Sequence, residues 1–228
     1  QAGLGECYVG AHPMAGNELS GWSAADPHLY DDALWAITVT QHTDYRRFLT
    51  IAELIVKDCG NRVIVIDSDT HDRAAALISH MPHVVATSLI NELVGNPDRN
   101  IAAALAAGSW RDMTRVALTD PNRTRAMVEE DNVNVEGLLR SMAARLTAVA
   151  DALHDGDENV IGGFFAEGQP FREYKHAREF AEGELAIPEA GWQQALLESA
   201  RRGEAIIGLI DGHRVRFRVH AMPTGDVD

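Results

Sequence analysis

The chain has 228 residues, room for one large domain or two small ones, and sets 20 Lys and Arg against 34 Asp and Glu, a formal charge of −14. That sign speaks against a phosphate-backbone partner or an anionic membrane surface, so no nucleic acid is expected, and no apolar run approaches the ~20 residues of a membrane helix, so no membrane partner is expected either. Two cysteines, Cys7 and Cys59, in an otherwise ordinary globular composition point to a reduced, cytoplasmic setting with both thiols inert in the core.

The chain opens on Gln1-Ala2-Gly3-Leu4-Gly5 without an initiator Met, as if an upstream element preceded it, which reads as a fragment. Residues 7–11 form an apolar run that predicts a buried strand, and Pro13 should stop its ladder pairing. His12 then sits at the strand's carboxyl end, the edge of open α/β sheets where ligands bind. Residues 34–40 are β-branched and aromatic, a second strand. From Thr43 or Asp44 as N-cap, Tyr45, Phe48, Leu49, Ala52, Ile55 and Val56 recur at helical spacing until Gly60, and residues 62–67 give a near-continuous apolar strand of the kind covered on both faces.

Past Asp67 the pattern turns helical. Ser68 can cap a helix through Ile78, Pro82 should kink or restart it, and residues 101–107 are alanine-rich and apolar almost all round. Gly108 and Ser109 break that run. Asp120-Pro121 opens a helix whose apolar positions recur to Val149, over 30 residues, and a helix of that length favours an interlocked helical homodimer over a large intrachain bundle. Residues 154–163 read as a linker, 174–184 and 189–202 as helices, and Asp211-Gly212 as the turn of a hairpin. The expected fold is α+β and mainly helical. By pattern it divides into strands with one helix over 1–67, an all-α segment over 68–155 and a small extension with a β-hairpin over 156–228.

Three clusters carry chemistry. Residues 12–21 place an imidazole, a carboxylate, an amide and two glycines on one turn. His80 and His83, with Asp69, His71 and Asp72 nearby, admit a metal site, but Pro82 spoils the shared helical face and no thiolate or Glu completes it, so no metal is expected. A buried His80 bonded to a backbone carbonyl is the plainer alternative, with His83 the one that faces a ligand. In the third cluster the Gly108 break lets backbone approach a ligand, Arg115 offers a guanidinium suited to bidentate carboxylate recognition, and Asp112 would orient it from three residues away. That site would accept a small anion. A solvated Arg–Asp pair of little worth is the alternative.

At these clusters the sequence resembles the prephenate/arogenate dehydrogenase family of tyrosine biosynthesis. His-Pro-Met-Ala-Gly-x-Glu-x-Ser-Gly at 12–21, His-Asp at 71–72, Ser-His-Met-Pro-His at 79–83 and Ala-Gly-Ser-Trp-Arg-Asp-Met-Thr-Arg-Val-Ala at 107–117 match its motifs in order and spacing, over roughly residues 7–150. The resemblance implies the last strands of a Rossmann-type sheet over 1–67, a dimerisation and substrate domain over 68–155, and an oxidative decarboxylation of prephenate or arogenate with hydride transfer to NAD or NADP. It implies His12 as the catalytic base, Arg115 as the group that binds substrate carboxylate, Glu18 and Asp112 as its acidic partners, and His83 as a second substrate-pocket histidine. Gly108 belongs to the same substrate site. Asn17 stands where the family often has Thr, an amide in place of a hydroxyl, and Thr124 stands where many relatives carry an aromatic. No Gly-x-Gly-x-x-Gly occurs anywhere in the chain, so the cofactor-binding residues are expected upstream of Gln1 and the chain is not expected to turn over alone. A non-catalytic dimerisation or metabolite-binding module, and a metal-dependent hydrolase using His80 and His83, are the rival readings.

Overall fold

The computed structural model describes residues 7–19, 21–177 and 180–222; the opening residues 1–5 and Ser20 of the 12–21 motif lie outside them. The chain divides into two compact units, one made of the chain up to Ala15, His28–His71 and the chain from Ala148, the other of Gly16–Pro27 and Asp72–Thr147.

The first unit is built on a mixed sheet of order β1-β2-β3-β5-β6-β4. Strand β1 (Gly10–Pro13) runs antiparallel to β2 (Leu34–Thr38), and β2 runs parallel to β3 (Arg62–Ile66). Between β2 and β3 lies α1 (Tyr45–Glu53), extended by a π-helical turn, Leu54–Asp58. Asp44 is the N-cap, its side chain accepting the Arg47 N–H at 3.0 Å, and Gly60 at φ 68° turns the chain into β3. The first strand is shorter than its apolar run and starts at Gly10. Pro13 does not end the pairing either: it stays in register opposite Trp35. A strand bonded along one side tolerates a missing N–H on the other.

Helix α10 (Trp192–Arg201) covers the sheet, and Trp192 and Leu196 share one core with Phe48, Ile37, Val63, Ile206 and Val215. Strands β5 (Glu204–Asp211) and β6 (Arg214–Val219) form the hairpin expected from the sequence, with its turn one residue later, between the Asp211–Arg214 pair. The hairpin is not a separate extension. Val63 of β3 pairs with Ile206 of β5, so residues 204–219 enlarge the same sheet. The helix expected over 174–184 is corrected likewise: α9 (Gln169–His176) covers only 174–176, residues 178–179 lie outside the described residues, and β4 (Glu182–Ala186) takes 182–184, paired to β6 with Glu182 bonded to Arg218 at 2.7 Å. The linker expected at 154–163 is mostly helix, the end of α7 (Asn132–Asp155) and the start of α8 (Glu158–Ala166), with Gly156 at φ 72° between them. Cys7 and Cys59 are exposed, not core thiols.

Helix α2 (Ser68–Ala75) starts where β3 ends. Its cap is Asp67, not Ser68: Oδ1 accepts the Thr70 N–H and Oδ2 the Thr70 hydroxyl, both at 2.8 Å. A π-helical turn, Ala76–His80, continues it into α3 (Met81–Gly95), so Pro82 lies within a continuous helical run, directly after the wider turn, and does not end it. In the second unit α3 packs against α4 (Arg99–Leu105), α5 (Gly108–Thr114) and a 3-10 turn, Arg115–Leu118. The long helix expected from Asp120 is two: α6 (Pro121–Glu130) and α7 (Asn132–Asp155), separated by Asp131 at φ −113°, ψ 33°.

Candidate active site

In the first unit His12 stands on β1 opposite Ala36, and its Nδ1 lies 2.8 Å from Nε2 of His71 on α2, the rings tilted at 57°. Two imidazole nitrogens at that distance share one proton, donated by one ring and accepted by the other. If His12 Nδ1 is the donor, its Nε2 keeps a lone pair. His71 was legible as a motif residue, but nothing in its spacing from His12 showed that the two would meet.

The second unit holds the turn after β1. Asn17 Oδ1 accepts the Leu19 N–H at 3.0 Å, and Glu18 Oε2 accepts from Arg115 Nη1 at 3.1 Å. The Glu18 backbone N–H, and after it the Arg115 guanidinium, hold that carboxyl below the usual carboxylate range. Arg123, on the first turn of α6, donates to the carbonyls of Asn17 and Leu19, each at 3.2 Å. Asp112, expected to orient Arg115, instead lies 3.5 Å from Arg111 in an exposed pair. The i, i+3 geometry that would join Asp112 to Arg115 needs a continuous α-helix, and α5 ends at Thr114.

His83, on α3, is partly buried, and its Nδ1 is sealed from solvent with no hydrogen-bond partner among the described residues. Burial first, then the charges of Arg123, His80 and Arg115, lower its pKa against an opposing interaction with the Val116 backbone. The imidazole is therefore neutral near pH 7. His80 is occupied elsewhere: its Nδ1 bonds Asp131 Oδ2 at 2.9 Å, a carboxylate and not the backbone carbonyl expected. Among the described residues no three His, Cys, Asp or Glu side chains gather as metal ligands.

Gly108 lines an apolar groove of about 580 Å³ with Leu89, Leu93, Trp110 and Met113. Thr124 lines another of about 650 Å³ with Val84, Thr87, Asn91 and Thr119, into which a larger side chain at 124 would project. Arg123 and Asp131 were not singled out from sequence. Each acts through main-chain or long-range bonds that leave no local pattern.

A parallel strand–helix–strand unit followed by a helical unit is the layout of the two-domain dinucleotide-dependent dehydrogenases. Residues 1–65 match the family model described as prephenate dehydrogenase, nucleotide-binding domain, and residues 67–167 the one described as prephenate dehydrogenase, dimerization domain. The chain is 29% identical over 180 residues to prephenate dehydrogenase of Lactococcus lactis, covering 78% of this chain and 48% of the relative. A solved structure of a candidate prephenate dehydrogenase from Corynebacterium glutamicum aligns at TM-score 0.72 and 31% identity over 87% of this chain and 63% of the other. Prephenate dehydrogenase from A. aeolicus, solved with hydroxyphenyl propionate and NAD+, aligns at TM-score 0.66 and 27% identity over 75% of this chain and 59% of the other. The chain belongs to the prephenate dehydrogenase family. It spans about half the length of the curated relatives it matches.

Proposed function

We propose that these 228 residues are part of an NAD- or NADP-dependent dehydrogenase that oxidatively decarboxylates prephenate or arogenate in tyrosine biosynthesis. The observation that carries this reading is the match of both family models, in order, to residues 1–65, which include His12 and Glu18, and to residues 67–167, which include His83 and Arg115.

A nicotinamide dinucleotide supplies the hydride acceptor in this chemistry. Among the described residues, the amino termini of α1 and α2 do not fit its pyrophosphate: they are capped by the carboxylates of Asp44 and Asp67, which place negative charge where an anion would bind. The cradle is assigned to sequence outside the 228 residues, so no step is derived through it, and the chain alone is inactive. What these residues do is handle protons and charge. In the tautomer in which Nδ1 donates to His71, His12 takes the proton of the ring hydroxyl through Nε2. Arg115 has N–H donors beyond the one given to Glu18 and binds a substrate carboxylate. Neutral His83 can accept or donate a hydrogen bond without adding positive charge. Within the second unit, Asn17, Glu18, Asp112 and Gly108 are assigned to substrate binding with Arg115 and His83. When the ring carboxylate leaves as carbon dioxide, its bonding pair enters the ring, which becomes aromatic as hydride departs.

The helical unit leaves Leu105, Leu118 and Val133 more than 70% exposed. We assign that surface to a second copy of the chain, a homodimer in the cytoplasm. The test is an assay of the longer gene product with NAD and NADP against prephenate and arogenate. Reduction of either cofactor with either substrate supports the reading; inactivity in all four combinations sinks it.

A further inference from the structure

The turn carrying Glu18 is held by a residue the proposed chemistry does not require. Arg123 Nη2 donates to the Asn17 carbonyl and Nη1 to the Leu19 carbonyl, each at 3.2 Å. These two oxygens flank Glu18, so one planar guanidinium grips the main chain on both sides of that residue. The Asn17 side chain closes the same turn on the Leu19 N–H.

With its backbone fixed, Glu18 reaches Arg115 Nη1 at 3.1 Å. The Arg115 side chain is 55% exposed and Glu18 31%, and pairs so open to water are held weakly by charge alone. Their geometry depends on where the turn puts the carboxylate. Loose, Glu18 could swing across the guanidinium and compete with a ligand for its donors; held, it occupies one Nη and leaves the rest of the fork presented.

We infer that Arg123 is a positioning residue: by clamping the Asn17 and Leu19 carbonyls it fixes Glu18 against one edge of Arg115 and so sets the guanidinium for a carboxylate ligand. This rests on the reading of Arg115 as the carboxylate-binding group. The field of Arg123 at His83 adds to the same arrangement, since it favours the neutral imidazole beside a site that already carries Arg115. Lysine is not an equivalent replacement. A single ammonium on a flexible stem lacks the rigid fork that bridges two carbonyls.

The experiment compares the 228-residue chain with its Arg123→Gln and Arg123→Lys variants by carboxyl carbon NMR titration of Glu18, alongside thermal melts. The expected result is a Glu18 midpoint that rises toward the ordinary carboxylate range in Arg123→Gln and is only partly restored in Arg123→Lys. A Glu18 midpoint unchanged in Arg123→Gln, or fully restored by lysine, overturns the clamp. Should Arg123→Gln fail to fold, the lysine variant decides: a midpoint above that of the parent chain supports the clamp, and one equal to it refutes it. In the intact enzyme Arg123→Lys should raise KM about tenfold with kcat within about twofold, a split that general destabilisation would not give; an unchanged KM counts against it. A parent enzyme that oxidises neither substrate removes the functional reading, while the Glu18 titration still judges the clamp.

Discussion

His80 and Asp131 are bonded through Nδ1 and Oδ2 at 2.9 Å with side chains only 16% and 13% exposed, and this bond ties the end of the π-helical turn to the break between α6 and α7. Asp131 Oδ1 also accepts from Asn134 Nδ2 at 2.7 Å, so both carboxylate oxygens are used. Asp131→Ala strands a buried imidazole N–H and unties the start of α7. The expected loss is about 1 to 3 kcal/mol by urea or thermal unfolding. A change below about 0.5 kcal/mol would show that water replaces the carboxylate at no cost.

For the intact enzyme, His12→Asn keeps a hydrogen-bonding group near His71 but removes the base. We expect kcat to fall about 10²- to 10⁴-fold with KM little changed. Steady-state kinetics with the preferred substrate checks this, and an unchanged kcat refutes the assignment.

Glu204 is the buried acid of the sheet unit. Arg202 donates to it through Nε at 2.7 Å and Nη2 at 2.8 Å, Ser199 adds a hydroxyl bond, and these contacts outweigh burial to hold its carboxyl below the usual range. A depressed folded-state pKa contributes stability that is fully present above the unfolded value of about 4.3 and is lost as pH falls through the folded value. Glu204→Gln should therefore melt lower than the parent chain at pH 7, and the gap should close progressively below pH ~4. A gap that is constant from pH 7 to pH 3 would assign the effect to packing.

Gly203, after α10, has φ 76°, and a Cβ there would stand 2.9 Å from the His220 carbonyl oxygen. Gly203→Ala combines a left-handed backbone with a clash against main chain that a rotamer change cannot relieve. The expected cost is about 1 to 3 kcal/mol by chemical denaturation. Gly212, with open space around it, is the control and should change stability by less than about 1 kcal/mol.

What the sequence made legible was whatever depends on period and punctuation. Strands β2 and β3, the helix between them and the Asp44 cap follow from apolar spacing and turn residues that sit in one local window. The break at Asp131 has no Pro or Gly to mark it; it is made by a bond to His80, distant in the chain. Strand β4 reads Glu-Gly-Glu-Leu-Ala, a poor strand by composition, and exists because β6 presents Arg216 and Arg218 opposite its two glutamates. The same limit applies to the candidate site. His12, Glu18, Arg115 and His83 stood out as residue types in motifs, and of the two acidic partners expected for Arg115 it is Glu18, in the turn after β1, that bonds it, while Asp112, three residues away, pairs with Arg111. The grip of Arg123 on that turn uses main-chain carbonyls, which every residue possesses and no sequence advertises.

The pairing of β3 with β5 also fixes an order of events in synthesis. Phe48 and Val63 emerge early, but their core partners Trp192, Leu196 and Ile206 arrive only after the whole helical segment has left the ribosome. Until then β3 waits with an open hydrogen-bonding edge, the kind of surface on which nascent chains stick to one another. The helical unit is a passenger carried between two halves of one sheet, and a chain truncated before Glu204 would keep that edge exposed for good.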